Sequence, residues 1–276
     1  MLLGGFSILA IAVTLWFGSF VRITVNTSTA SSGKRPPQVS KQPDLTELKN
    51  QRLVEEIAKQ VTVRVLSEPE AGSGVIIERQ GETYSVLTCD HVVAGNKSNR
   101  YNILTIDGVT HPATRKSIKF GDVDLAVVQF QSKKAYKIAD LGNSNLLSTG
   151  KVVYASGFPN YNSPNDTVLE DTRNWGNKAY RFTNGEISMI LEGSLKQGYR
   201  LGYTNEVELG MSGGPVFNQT GQVVGINGRL KYPIQGIDVF TFADGTRPSV
   251  EMFQKMESLS WAIPIAAFRQ AIAGSE

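Results

Sequence analysis

Cysteine and histidine are scarce in this chain, whose 276 residues include one cysteine and two histidines. A single cysteine excludes an internal disulfide, so the folded domain must be held together by its hydrophobic core. The same scarcity excludes a zinc cluster built from several histidine and cysteine ligands. The sequence also has no acidic loop of the EF-hand type. We therefore predict neither a metal site nor any other cofactor.

Excess charge of one sign is also absent. The formal net charge is +3, and no long basic run lies beside aromatic residues. Nucleic acid is therefore not supported as a partner. The hydrophobic content of 41% and charged content of 19% are those of an ordinary globular protein, and the length allows one or two domains with a sizeable core.

One serine lies on a glycine-rich turn just before a strand-like run, in residues 210–216, which read GMSGGPV. Glycines on both sides of Ser212 let the backbone bend, so that amide groups of the turn can point at one spot. A serine hydroxyl is a poor nucleophile unless a neighbouring base takes its proton. Linkers and hairpin turns contain the same string, so the motif indicates catalysis only together with a base.

Two further segments supply a base and an acid. His91 ends an apolar, strand-like run, and Asp124 opens another run that is apolar enough to be a buried strand. The chain order His91, Asp124, Ser212 is that of the chymotrypsin-type triad, and it differs from the subtilisin and α/β-hydrolase orders. Asp122, two residues before Asp124 on the same face of an extended strand, is the alternative acid. We prefer Asp124 because it directly precedes the apolar run.

The rest of the chain has a β-rich texture from Val61 onward. Short apolar runs separated by Gly, Asn and Asp predict a barrel or sandwich instead of a parallel βαβ fold. The predicted strands are 61–66, 74–78, 85–88, 101–106, 125–130, 152–156, 180–183, 186–191, 215–217 and 222–226. An amphipathic helix is predicted over Leu45–Lys59 and a closing helix over Ile265–Ile272.

Taken in order, these motifs resemble those of chymotrypsin-fold serine proteases, nearest to the HtrA-like, trypsin-type branch. Supporting segments are residues 71–77, 141–144, 157–159, 183–188, 225–227 and 262–264. The resemblance implies an all-β fold of two six-stranded antiparallel barrels with short flanking helices. It implies a protease domain over 45–270, a first barrel at about 61–140, a second at about 150–245 and a tail at 271–276. We expect no PDZ domain of the kind that many HtrA proteins carry.

The resemblance also assigns roles at the cleft between the barrels. Ser212 would be the nucleophile, His91 the general base and Asp124 the residue that orients His91. The oxyanion donors would be the backbone amides of Gly210 and Ser212. Cys89, near His91, is a rival nucleophile in principle, but we predict a small buried apolar residue.

The sequence also allows predictions for His111 and Met211. His111 has no motif around it and is predicted to lie in a surface loop. Met211 departs from the resemblance, because digestive enzymes of this fold have aspartate before the nucleophile and HtrA-like ones usually asparagine. An uncharged Met211 cannot make the ion pair with a newly released amino terminus that aspartate makes. We therefore predict that activity needs no zymogen cleavage.

Substrate preference has two readings. Glu206 lies six residues before Ser212, at the place of the acid that selects Lys or Arg in trypsin-like enzymes. Glu206 and Glu208 alternate with Val207, so both could instead face solvent.

The second reading comes from the segment that resembles the substrate-pairing strand. Gly225, Ile226 and Asn227 would wall the pocket, and Ile226 would favour small or medium apolar side chains.

The amino-terminal residues form a separate segment. Leu2–Val21 carry no charge and are numerous enough to span a bilayer, while the small residues 28–30 would permit signal cleavage. We predict a membrane anchor or signal at 1–24 and a disordered linker at 25–44. The positive charges follow the span, which favours a cytoplasmic domain, whereas the resemblance implies export. We expect a membrane-anchored or secreted protein with an extracytoplasmic catalytic domain.

These patterns predict a serine endopeptidase that acts on polypeptides, with protein quality control as the role that the HtrA-like branch suggests. The alternative is a catalytically idle domain of the same fold that binds polypeptides.

Overall fold

The computed structural model describes residues 45–67, 70–163 and 168–274. The predicted anchor or signal at 1–24 and the linker at 25–44 lie outside these ranges. None of the helices formed by the described residues is both long and apolar enough to cross a membrane.

Two closed six-stranded antiparallel barrels make up the fold, which confirms the predicted class. The first barrel contains β1 (Thr62–Ser67), β2 (Glu70–Gln80), β3 (Thr83–Thr88), β4 (Tyr101–Leu104), β5 (Thr110–Arg115) and β6 (Ala126–Gln131). The second contains β7 (Val152–Gly157), β10 (Arg181–Ile190), β11 (Leu201–Tyr203), β12 (Pro215–Phe217), β13 (Val223–Arg229) and β14 (Ser260–Pro264). Between β7 and β10, β8 (Tyr161–Asn162) and β9 (Glu170–Asp171) form a small separate hairpin.

Hydrogen-bonded neighbours in the first barrel follow the order β1-β2-β3-β6-β5-β4, and β4 returns to β1. In the second barrel the order is β10-β11-β14-β13-β12-β7, and β7 returns to β10. Closure of both sheets leaves no unpaired edge strand in either barrel.

In the described part of the chain, four α-helices flank the barrels: α1 (Leu45–Val61), α2 (Asp90–Val93), α3 (Val250–Glu257) and α4 (Ile265–Ala273). In α1, Val54, Ala58 and Val61 recur on one face and are fully buried, as the amphipathic pattern requires. The Ser249 hydroxyl caps α3 by accepting a hydrogen bond from the amide of Met252.

The structure corrects the predicted boundary of the second barrel. That barrel was expected to end near residue 245, but its strand β14 spans Ser260–Pro264. Every residue of β14 is buried, so this short run has no alternation of polar and apolar residues to mark it as a strand.

Other elements also differ from the predicted ones. The two strands predicted over 180–183 and 186–191 are one continuous strand, β10. Strand β5 was not predicted because its sequence, THPATR, is polar and contains proline. His111 therefore lies in a strand and not in a surface loop. It is half-buried, with its Nε2 atom 2.8 Å from the Tyr136 hydroxyl and its ring packed against Phe130.

Candidate active site

His91 comes just after strand β3, and Asp124 comes just before the neighbouring strand β6. The register pairs Thr88, at the end of β3, with Ala126, at the start of β6. The short helix α2 turns the chain immediately after β3, and His91 lies in it. Because antiparallel partners bring the end of one strand beside the start of the other, His91 and Asp124 come together.

Two hydrogen bonds fix the orientation of the imidazole. His91 Nδ1 lies 2.6 Å from Asp124 Oδ2, and the backbone amide of His91 donates to Asp124 Oδ1 at 2.8 Å. The Asp124 side chain is 2% exposed, whereas the His91 side chain is 43% exposed. With Nδ1 bound to the carboxylate, Nε2 is the remaining ring nitrogen, and no described residue bonds to it. Asp122 is exposed at the surface, so Asp124 is the acid against His91.

Tyr199 is a third member of this network that sequence patterns did not reveal. Its hydroxyl donates to Asp124 Oδ2, and it lies next to β11 in the second barrel. Burial raises the pKa of Asp124, but the hydrogen bonds from His91 and Tyr199 outweigh that effect and hold the pKa below its ordinary value. Burial raises the pKa of Tyr199 well above 10, which keeps the phenol protonated.

Ser212 is buried on a tight turn before β12. Gly210 has φ +101° and Gly213 has φ +85°, a backbone region that favours glycine. A Cβ atom at Gly213 would lie 2.1 Å from the carbonyl oxygen of Ser73 and 2.2 Å from Thr88 Oγ1. The two glycines are therefore required both by conformation and by close packing.

A cavity of about 170 Å³ brings Ser212, Gly210 and His91 together. Among the described residues, no hydrogen bond joins the Ser212 hydroxyl to His91. The amides of Gly210 and Ser212 likewise donate to none of the residues that the structure describes, although the Met211 amide between them donates to Glu208 O at 2.9 Å. The residues that line this cavity thus carry a hydroxyl, an imidazole and two backbone amides without a described acceptor, which are the groups that acyl transfer to serine requires.

Cys89 lies beneath this site. The ligand atoms of Cys89, His91 and Asp124 are all within 4.8 Å of one another, a combination that could in principle hold zinc. The thiol is fully buried and donates to Asn227 O at 3.0 Å. Burial raises its pKa well above 9, so the group is a neutral thiol and not the thiolate that attacks carbonyls.

Glu206 is paired rather than free. Its carboxylate forms an ion pair with Lys231, and its side chain is 75% exposed. Lys231 also donates to Thr204 O at 2.8 Å.

The other predicted pocket residues lie in the interior. Gly225 and Ile226 are buried in β13, and the Asn227 side chain accepts a hydrogen bond from Tyr203. Their role as the pocket wall stays a prediction.

Arg64 is a further residue that supports the site region. It is fully buried in β1, and its guanidinium donates to Thr172 O at 2.7 Å and to Asn160 Oδ1 at 3.2 Å. Asn160 lines the same cavity as Ser212. The sequence signal for Arg64 is a charged residue between two valines of a strand, which indicates a specific buried partner.

Comparison with known proteins places these features in a family context. Residues 72–226, more than half of the chain, match the model of a trypsin-like peptidase domain.

Among curated proteins, Serine protease Do-like HtrB of Bacillus subtilis is 32% identical over 174 residues, which is 62% of this chain and 35% of that protein. Serine protease Do-like HtrA of the same organism is 29% identical over 164 residues, covering 58% of this chain and 34% of the relative. Serine protease Do-like HtrA of Lactobacillus helveticus is 25% identical over 193 residues, which is 70% of this chain and 40% of that protein. The matched region thus spans about a third to two fifths of the length of these relatives.

Proposed function

The chain belongs to the trypsin-like peptidase family, and from that premise we propose that it is a serine endopeptidase that hydrolyses peptide bonds of polypeptides. One observation carries the proposal: Ser212, Gly210 and His91 line a single cavity, Asp124 orients His91, and the amides of Gly210 and Ser212 donate to none of the described residues. The relatives named serine proteases support the same reaction class.

In this mechanism the Ser212 hydroxyl attacks the substrate carbonyl carbon, and His91 Nε2 accepts its proton. The tetrahedral intermediate then collapses, the C–N bond breaks, and His91 returns the proton to the departing amine. Water repeats the two steps on the acyl-enzyme and releases the acid. Asp124, ionised and bound to Nδ1, stabilises the imidazolium that forms at each stage.

The amides of Gly210 and Ser212 serve as the oxyanion hole. Both are free of hydrogen bonds to the described residues, so they need not give up a protein partner when the oxyanion forms. Donors fixed in place before the reaction contribute more than donors that must reorganise.

For substrate selection we propose a preference for small or medium apolar side chains before the scissile bond. Lys231 neutralises Glu206, which leaves no free acid at that position to bind a basic side chain. We further propose a role in protein quality control, which the HtrA-like resemblance supports. A protease with that role should cleave a destabilised substrate protein much faster than its stable parent.

Labelling with a fluorophosphonate probe tests the reaction class. The chain should be modified at Ser212, and Ser212→Ala should abolish labelling. A peptide library should then be cleaved after small or medium apolar residues. The rival function, an idle polypeptide-binding domain, predicts peptide binding with neither labelling nor cleavage.

For location we propose an extracytoplasmic catalytic domain, reached through an anchor or signal in residues 1–24. Fractionation with and without detergent, followed by sequencing of the amino terminus, tests this proposal. An anchor predicts membrane association of the full chain, and a cleaved signal predicts a soluble form that begins near Ala30. A full-length chain that stays soluble in the cytoplasm would contradict both.

A further inference from the structure

Ser73 joins the first barrel to the turn that carries Ser212. It lies in β2 within the segment 71–77, it is fully buried, and all of its polar atoms are paired. Its backbone amide donates to Ser212 O at 2.8 Å, and its carbonyl accepts from Thr88 Oγ1 at 2.7 Å. Its hydroxyl donates to Gly210 O and accepts from the amide of Phe158, both at 2.8 Å.

The direction of the hydroxyl proton follows from these contacts. Phe158 can only donate through its amide, so the Ser73 oxygen must be the acceptor in that bond. The Gly210 carbonyl can only accept, so the Ser73 proton points at it. The serine oxygen therefore links a fixed donor to a fixed acceptor.

The peptide groups of the turn fall into two alternating kinds. Those ending at Gly210 and at Ser212 have N–H groups that donate to no described residue, and their carbonyls accept from the amides of Asn160 and Gly214. The two remaining peptide groups are held at both ends.

In the first of these, Gly210 O accepts from the Ser73 hydroxyl and the Met211 amide donates to Glu208 O. In the second, Ser212 O accepts from the Ser73 amide and the Gly213 amide donates to Asn227 O at 2.8 Å. Ser73 thus contacts both of the peptide groups whose own N–H is not needed for an oxyanion.

Among the described residues, Ser73 supplies the one side-chain donor to a carbonyl of residues 209–213. Met211 carries no charge, and its side chain is buried within the second barrel. It cannot hold the turn through an ion pair.

We infer that Ser73 is a positioning residue: its hydroxyl holds the Gly210–Met211 peptide so that the amides of Gly210 and Ser212 face the cavity. The inference rests on the proposed function, since it concerns how the oxyanion hole is kept in shape. Ser73 touches neither the substrate nor the reacting atoms. Its effect should therefore appear in the transition state and not in substrate binding.

The test compares Ser73→Ala with the wild-type chain on one peptide substrate. Loss of one oxyanion-hole donor typically costs about 100-fold or more in turnover. Because the backbone bonds of the turn remain, we expect kcat to fall by about 10- to 100-fold while KM stays within about twofold. The inhibition constant of a peptide aldehyde, whose adduct places an oxyanion in the hole, should rise by the same factor.

Thr62→Val is the matched control. The Thr62 hydroxyl is also buried in the first barrel, and it bonds to Ser156 of the second barrel at 2.7 Å. This variant loses a hydroxyl between the barrels that bonds to Ser156 and not to a carbonyl of residues 209–213, so it should keep kcat within about twofold even if its melting temperature drops. Ser73→Cys keeps a side-chain donor, although a weaker and larger one, and it should give a smaller kcat loss than alanine. It carries the test if the alanine variant fails to fold.

Failure of the inference and failure of the proposed function are distinguishable. A wild-type chain that is not labelled at Ser212 contradicts the proposed function. A labelled wild type with unchanged kcat in the folded Ser73 variants overturns the positioning role alone. Equal kcat losses in Ser73→Ala and Thr62→Val would also overturn it, because they would reflect general loosening between the barrels.

Discussion

Asp124 shows how the charge of one residue is set by its neighbours. Burial alone would favour the neutral acid, but the carboxylate accepts hydrogen bonds from the ring and amide of His91 and from Tyr199. These bonds keep it ionised, so it can balance a positive charge on His91. One buried anion thereby orients the base and favours proton transfer to it.

The first prediction concerns the catalytic residues. Ser212→Ala and His91→Ala should each lower kcat by several orders of magnitude, and the double variant should be little worse, because the two residues act as a unit. Steady-state kinetics on a single peptide measures all three. Near-normal turnover in Ser212→Ala would rule out a serine mechanism. If the loss of kcat in the double variant equalled the product of the two single losses, Ser212 and His91 would not act in the same catalytic step.

The second prediction concerns Lys231. Replacement by alanine removes the ion-pair partner of Glu206, so cleavage after Lys or Arg should rise relative to cleavage after Val. The change should be modest, about three- to tenfold, because an exposed carboxylate is well solvated. Library profiling of Lys231→Ala beside Lys255→Ala, which breaks an ion pair on α3, provides the control. An unchanged profile would show that Glu206 does not face the substrate.

At the scale of elements, Arg64 ties β1 to the residues on either side of the β8–β9 hairpin. The guanidinium donates to Thr172, Asn160 and Pro159, all of them neutral acceptors. Burial lowers the pKa of Arg64 to about 10, with the charge of Asp171 opposing that shift. The group remains charged at neutral pH and holds the wall of the active-site cavity through Asn160.

The third prediction follows from that tie. Arg64→Leu removes the four hydrogen bonds of a buried cation and leaves the Asn160 side-chain oxygen without its donor, which should lower the free energy of unfolding by about 3 kcal/mol. Urea unfolding measures the loss. Arg79→Leu, on the exposed part of β2, is the control and should change stability by less than about 0.5 kcal/mol. If both replacements lowered the free energy of unfolding equally, the buried hydrogen bonds of Arg64 would not contribute to stability.

The elements that sequence patterns could locate are those with a strong periodicity. The apolar runs at β3 and β6 were found, and so was α1, because burial on one face leaves a regular pattern. Strand β5 was missed since its polar residues are held by pairing with β4 and β6. Strand β14 was missed since burial on both sides leaves no alternation. These strands are defined by tertiary pairing, which local composition does not encode.

At the scale of the whole molecule, we expect activity to be independent of a new amino terminus. Met211 is packed among apolar residues inside the second barrel, and the turn is held by Ser73 and by backbone bonds. The helix α1 contributes Val54, Ala58 and Val61 to the core, and all three lie beyond Leu53.

The fourth prediction is therefore that chains beginning anywhere from Asp44 to Leu53 have similar kcat. Their melting temperatures should fall only slightly, since helix residues before Val54 are mostly exposed. Turnover measured across the series provides the test. Activity that appears at one unique first residue would show that a free amino terminus completes the site.

The candidate site was partly predictable because, as for the fold, apolar runs and their order can be read from the sequence. Chain order and the ends of apolar runs pointed to His91, Asp124 and Ser212, which lie on or beside the strands of both barrels. Tyr199 and Ser73 were not found, because each acts on a residue of the other barrel. A sequence shows what surrounds a residue along the chain, but not what lies across an interface.

This crossed arrangement also determines what a severed chain could do. Tyr199 of the second barrel holds the acid of the first, and Ser73 of the first barrel holds the turn of the second. Each barrel therefore positions part of the catalytic site that belongs to the other barrel. If the chain were cut in the exposed loop near Thr149, neither piece should hydrolyse peptides alone, and turnover would return only as the pieces reassociate. The molecule would then behave as a two-part switch whose output reports the proximity of its halves.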